Sequence, residues 1–172
     1  MVNTNYYFEY IIGGNMKAKR VADSLTEQVH IVMPSHISGT DRLFGGQLLA
    51  WIDEISAVTA RRHCEHNVTT AAIDNLQFKA GVFINNIVVL IGRITYVGKT
   101  SMEVRVDTYV EDHLTGIRKA VNRAYLVMVA LDENEKPVEV PRLILETEAD
   151  HGEWEAGRRR KQLRSERRKE GY

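Results

Sequence analysis

The stretch 33–54, MPSHISGTDRLFGGQLLAWIDE, decides how the rest of the chain is read. A turn-forming run, Ser38-Gly39-Thr40-Asp41, leads into Gly45-Gly46, and this pair opens the longest helical pattern in the sequence, over 44–63. Leu48, Ile52, Ile55 and Thr59 recur at helical spacing, and Leu49 and Trp51 widen the apolar face. A glycine-opened helix start presents free backbone N–H groups at the positive end of the helix dipole, which suits a developing oxyanion. Glycine also allows a substrate close to the backbone. Two turns further on stands Asp53. It shares a helix face with Gly46, Leu49, Ser56, Ala57 and Ala60, none of them charged, whereas Glu54 lines up with Gln47, Ala50 and Arg61. Asp53 is therefore the candidate general base.

The rest of the pattern is mostly strand. Residues 27–33 alternate and stop at Pro34; 68–78 reads as a strand ending before Lys79-Ala80-Gly81. Residues 87–97 are apolar at nearly every position of the first half, as in a strand covered on both faces. Gly98-Lys99 makes a tight hairpin. Met102, Val104 and Val106 then alternate with Glu103, Arg105 and Asp107, the pattern of a strand with one buried face. Thr115-Gly116 turns the chain into a last long strand, 118–131. One strand, one long helix and four strands on short connections make an α+β fold with an antiparallel sheet. One helix cannot bury so apolar a sheet, so part of it is expected to meet another subunit.

Composition narrows the function classes. The 172 residues are 44% hydrophobic and 27% charged, with a formal net charge of zero, so bulk charge favours neither nucleic acid nor membrane. No apolar run reaches membrane-spanning length. A single cysteine, Cys64, precludes an internal disulfide and fits a reducing cytoplasm. Residues 1–15 are aromatic but lack the layout of a signal peptide, and are expected to be a tail ahead of a domain over 16–145. Residues 146–172 read as a charged C-terminal helix or tail standing in solvent. Their basic run, GRRRKQLRSERRKE, has no interleaved aromatics to stack on bases.

Other motifs are weaker. His63-Cys64-Glu65-His66 resembles metal-ligand spacing, but histidine at a helix end has ordinary dipole reasons and no further ligands are near; no metal and no cofactor is expected. Ser35, His36 and Ser38 lack the elbow of a serine hydrolase and fit turn chemistry. Neither a P-loop nor a dinucleotide fingerprint occurs. The turn Val97-Gly98-Lys99-Thr100-Ser101 offers amides, hydroxyls and a cation that suit a phosphate.

Geometry adds a constraint. Gly46 and Asp53 are about 10 Å apart along the axis at 1.5 Å per residue. Groups acting on one reacting carbonyl lie within about 3 Å of it. If both act, they come from different subunits.

The run from Met33-Pro34 through Phe44-Gly45-Gly46 to Ile52-Asp53-Glu54, with Asp74-Asn75-Leu76-Gln77-Phe78 and Gly98 to Val104, resembles the hotdog-fold acyl-CoA thioesterases. The likeness extends to about Leu143. It implies a sheet wrapped round a central helix, homodimers sharing active sites, and homohexamers built as trimers of dimers. It places the catalytic acid on Asp53, the helix-start glycines on Gly45 and Gly46, and CoA contacts on Lys99, Thr100 and Ser101. Ser38 stands where many members have Asn, a residue that in some of them helps position the water or thioester. Asp41 stands where Gly is frequent, Asn85-Asn86 where Gly-Asp is frequent, and Gly81 where Pro is. The expected activity is hydrolysis of acyl-CoA to free acid and CoA. The alternatives are a non-catalytic acyl-CoA-binding hotdog protein and a hotdog dehydratase or hydratase.

Overall fold

The structure, a computed structural model, describes residues 17–171. The expected tail, 1–15, lies outside the described residues. Strand β1 (Lys19–Arg20) leads into one helical turn, α1 (Val21–Ser24), then β2 (Thr26–Ile31) and a 3-10 turn at Pro34–His36. The central helix α2 (Gly45–Cys64) follows, then β3 (Asn67–Phe78), β4 (Ile87–Val97), β5 (Ser101–Glu111) and β6 (Arg118–Leu131). A two-residue strand, β7 (Leu143–Ile144), pairs with β1 in parallel, and helix α3 (Glu148–Lys169) ends the chain.

Five strands form one antiparallel sheet in the order β2-β4-β5-β6-β3. The fold is thus the expected one, a curled antiparallel sheet round a central helix. Helix α2 lies on its inner face, where Leu48, Ile52 and Ile55 meet Val88, Leu90, Ile94, Met102, Val104, Leu126 and Met128, all at most 2% exposed. The helix seats closely because β4 carries Gly92 beneath it. A Cβ there would lie 2.5 Å from Thr59 Oγ1 and 3.4 Å from Ile55 Cγ1. Val88, Val89 and Leu90 are all fully buried, as expected of a strand covered on both sides.

The outer face differs from the expectation. Glu103 and Asp107, read as the solvent side of β5, are 1% and 3% exposed. Arginines of β4, β5 and β6 surround Asp107, and helix α3 lies on the sheet over Glu103 instead of standing in solvent. Gly157 lets it touch the sheet: a Cβ there would lie 2.6 Å from Tyr96 Cβ and 2.9 Å from Glu103 Oε1. Glu103 accepts from Arg160 (2.8 Å), Arg164 (3.1 Å) and Thr95 Oγ1 (2.9 Å). Asp107 is held by Arg105 (2.8 Å) and Arg123 (2.7 Å), and Arg160 lies over the Tyr125 ring at 3.7 Å. Charges that sequence alone assigns to water are neutralised here by each other.

Helix α3 starts cleanly. Thr147 Oγ1 accepts from the Asp150 N–H (3.1 Å), and Asp150 Oδ2 accepts from the Thr147 N–H (3.0 Å), a reciprocal cap. Acids in its first turn and Arg167, Arg168 and Lys169 in its last complement the dipole.

Candidate active site

The loop before α2 is a small hairpin closed by an Ile37–Leu43 bridge. Ser38 N–H donates to Arg42 O at 2.8 Å, Leu43 N–H to Val82 O at 2.8 Å, and Phe44 N–H to His36 O at 2.9 Å. These bonds aim the chain into the helix. Asp41 turns the hairpin with φ 54°, and Asn85 in the facing loop has φ 65°. That backbone region favours Gly and tolerates Asn and Asp, which explains why these two positions accept the exchanges seen here.

Phe44 caps α2 without any side-chain hydrogen bond. The first amide to bond within the helix is Gln47, donating to Phe44 O at 2.9 Å. The Gly45 and Gly46 N–H groups precede it and point out of the helix start, as the first amides of any helix do. Two rings flank them. A Cβ on Gly46 would lie 2.5 Å from Phe44 Cε1, and one on Gly45 would lie 3.5 Å from Phe78 Cζ. Both rings are more than half exposed. The helix start thus lies between two apolar walls.

Asp53 is half-buried and Glu54 exposed, the order inferred from their neighbours on the helix. Among the described residues, one hydrogen bond reaches the Asp53 carboxylate: Thr70 Oγ1 donates to Oδ1 at 2.6 Å. Thr70 lies on β3 beside Met128, with its Oγ1 3.4 Å from Met128 Sδ, at the start of a break in register between Thr70 and Ala72. This threonine was missed in the sequence, where 68–78 read only as a strand. Nothing in the sequence sets it apart from its neighbour Thr69. The bond holds one oxygen of the carboxylate.

The other expected site residues sit elsewhere in the same chain. Ser38 Oγ donates to Arg42 O at 3.3 Å and lies 3.4 Å from Thr40 Oγ1, so its hydroxyl is engaged within its own loop. Lys99, Thr100 and Ser101 form the β4–β5 turn. Lys99 Nζ lies 3.3 Å from Glu139, and the Lys99 and Thr100 carbonyls accept from Val140 and Ala130. No described contact joins this turn to Asp53 or to the glycines. The side chains of 63–66 diverge. His63 donates through Nε2 to Pro141 O at 3.0 Å inside the core, while Glu65 pairs with Lys19 at the surface. Burial pushes the Cys64 thiol up, away from nucleophilic use. His36 Nδ1 accepts from the Met33 N–H (3.1 Å) while its ring packs edge-on to Trp51, turn chemistry as expected. No helix among the described residues is long and apolar enough to cross a membrane.

Comparison with known proteins follows the same geometry. A family model described as the thioesterase superfamily matches residues 41–117, which include Asp53 and Thr70. A Bacillus subtilis protein, YkhA, described as an uncharacterised acyl-CoA thioester hydrolase, is 40% identical over 119 residues, 69% of each chain. A crystal structure of an apo hexameric acyl-CoA thioesterase superposes with a TM-score of 0.84 at 38% identity, over 88% of this chain and 97% of that one. The Staphylococcus aureus acyl-CoA hydrolase, solved with butyryl coenzyme A and coenzyme A, gives 0.85 at 30% identity, over 90% and 94%. By this agreement of sequence and fold, the chain belongs to the thioesterase superfamily, as one of its hotdog-fold acyl-CoA thioester hydrolases.

Proposed function

We propose that the protein hydrolyses acyl-CoA at a site shared between two subunits, with Asp53 as the catalytic acid residue of one and the Gly45 and Gly46 amides of the other as the oxyanion hole. The observation that carries this is the Thr70–Asp53 bond, which holds a half-buried carboxylate ready on a helix facing an apolar layer. Asp53 takes a proton from water as it adds to the thioester carbonyl, or attacks the carbonyl itself. The carbonyl oxygen gains charge that the helix-start amides receive. In the first route the acyl C–S bond then breaks, and the proton taken from water ends on the departing CoA thiol. In the second the C–S bond breaks to release CoA thiolate and leave an acyl–Asp53 anhydride, which water hydrolyses to the free acid, its proton going to the thiolate. The chemistry proceeds without a cofactor, because a thioester is already activated for acyl transfer.

Relatives lend spacing to this reading. The Staphylococcus aureus hydrolase has been solved with single alanine substitutions of an Asn, an Asp and a Thr; the Asn precedes the Asp by 15 positions and the Thr follows it by 17. Here Ser38 precedes Asp53 by 15 and Thr70 follows it by 17. Ser38 would therefore approach the thioester from the loop, and Lys99, Thr100 and Ser101 would meet the phosphates of CoA bound across the subunit boundary. Exposed Phe44, Val58, Ile73 and Phe78 supply apolar surface for a partner to cover, and β3 is an open sheet edge among the described residues. A homodimer, assembled further into a trimer of dimers, accounts for both. The buried, unreactive Cys64 is consistent with a cytoplasmic setting.

The test mixes two defective variants and measures thiol release from a panel of acyl-CoAs. Asp53→Asn keeps the shape and should cost roughly 10²–10⁴-fold in kcat. Gly46→Val pushes the exposed Phe44 ring across the helix start. In a mixed dimer one site joins both defects and the other joins two intact halves, so subunit exchange should restore activity. Verified heterodimers that stay inactive, or an active monomer, would refute the shared site.

A further inference from the structure

Helix α3 grips the strand that carries Thr70. On the inner face of β3, Thr70 holds Asp53; on the outer face, four residues on, Asp74 is buried under α3. Arg164, itself only 9% exposed, donates through Nη1 to Asp74 Oδ2 and to Glu103 Oε2. Arg167 adds a second contact to Asp74 at 3.5 Å. Glu103 is on β5 and Asp74 on β3, with β6 between them, so one guanidinium ties together strands about 10 Å apart.

The place of this tie matters because β3 is weakly held there. Among the described residues it is an edge strand, paired with β6 alone, and its register breaks twice, between Thr70 and Ala72 and between Asp74 and Gln77. Only Ala72, Ile73 and Asp74 pair regularly between the breaks. A bulge allows a strand to bend and re-aim its side chains. This short paired segment sets the directions of Thr70 on one side and of Phe78, beside Gly45, on the other. Arg164 fastens the segment's last residue.

We propose that Arg164 is a positioning residue for the reaction. By holding Asp74 it fixes the bulged segment of β3, and so keeps Thr70 on the Asp53 carboxylate. The inference rests on the reading of Asp53 and Thr70 given above. A small misplacement of a catalytic group costs up to about 10²-fold in rate.

The experiment compares Arg164→Met, Arg164→Lys, Asp74→Asn and the double variant Asp74→Asn/Arg164→Met, with Arg158→Met as control. Arg158 pairs only with exposed Glu155 among the described residues, so its loss should leave turnover at the wild-type level. Arg164→Met should lower kcat by roughly 10- to 100-fold with little change in KM, and Arg164→Lys should recover part of it. If Arg164 acts through Asp74, Asp74→Asn lowers kcat similarly and the double variant falls no further. Amide hydrogen exchange should speed up across 68–78 but not across 48–60 of α2. A folded Arg164→Met with wild-type kcat, losses that multiply in the double variant, or exchange that rises evenly over the whole sheet would each overturn the proposal. If Arg164→Met does not fold, Asp74→Asn alone decides, and unchanged kcat and exchange in β3 would overturn it. If the wild-type protein releases no thiol from any acyl-CoA, the functional reading fails instead; exchange then judges the clamp alone, and only loosening confined to β3 supports it.

Discussion

The two faces of the sheet are covered by opposite means. On the inner face α2 brings Leu48, Ile52 and Ile55 against apolar residues of three strands, β4, β5 and β6, and its buried hydroxyls bond locally: Ser56 and Thr59 donate to carbonyls one turn back, at 2.7 and 2.8 Å. On the outer face α3 brings Arg160 and Arg164 against buried carboxylates, with Gly157 allowing the approach. The inner layer is close-packed, but its apolar contacts are non-directional. The outer layer is directional, since each guanidinium–carboxylate contact has a fixed geometry. An apolar layer supplies the free energy of folding, and an ionic one supplies register. Strand β3 is touched by both, through Thr70 on one side and Asp74 on the other.

The contrast can be broken from the inner side first. Leu126 is fully buried on β6 beneath α2. Leu126→Ala should cost about 2–5 kcal/mol, because the close-packed layer leaves a cavity rather than closing over it. Urea unfolding checks this. A loss under about 1 kcal/mol would mean that α2 packs less tightly than the structure shows.

From the outer side, Glu103→Gln keeps the shape and removes the charge shared by Arg160, Arg164 and Thr95. It should cost about 1.5–3 kcal/mol, the range for hydrogen bonds to a charged group. Added salt should not mimic the change, since buried pairs are poorly screened. A loss above about 3 kcal/mol would overturn the division of labour between the faces.

The smallest effect concerns pH, at the far end of α2. His63 is fully buried, and burial pushes its imidazole below the ordinary value of about 6.5, with its Pro141 bond and nearby Asp23 opposing and Lys19 reinforcing. Its Nδ1 is buried without a partner among the described residues, so a second proton there would be an unmatched charge. The unfolded chain therefore takes up the proton first. Stability from this group is complete above about pH 6.5 and is lost as pH falls toward the lower folded value. The slope from one group is at most about 1.4 kcal/mol per pH unit. Thermal unfolding between pH 7.5 and 5 should show a steeper acid decline in the wild type than in His63→Gln; equal declines would place the acid sensitivity elsewhere.

The long helix, the four strands after it and the order of acids along α2 were legible in the sequence, because each rests on local period. Helical spacing from Leu48 to Thr59 fixes one face of α2, and that face places Asp53 beside small residues and Glu54 outside. Alternation along 101–107 likewise shows which side of β5 meets the core. What covers the opposite side is not a local property. Period alone cannot distinguish Glu103 in water from Glu103 under Arg160 and Arg164, since the partners lie some sixty residues away. Thr70 was hidden for the same reason: its role depends on a bulge and on a helix seventeen residues earlier. Asp41 and Asn85 show the boundary between the two kinds of information. Their residue types permit a left-handed backbone, but only the packing of the two loops against each other requires it.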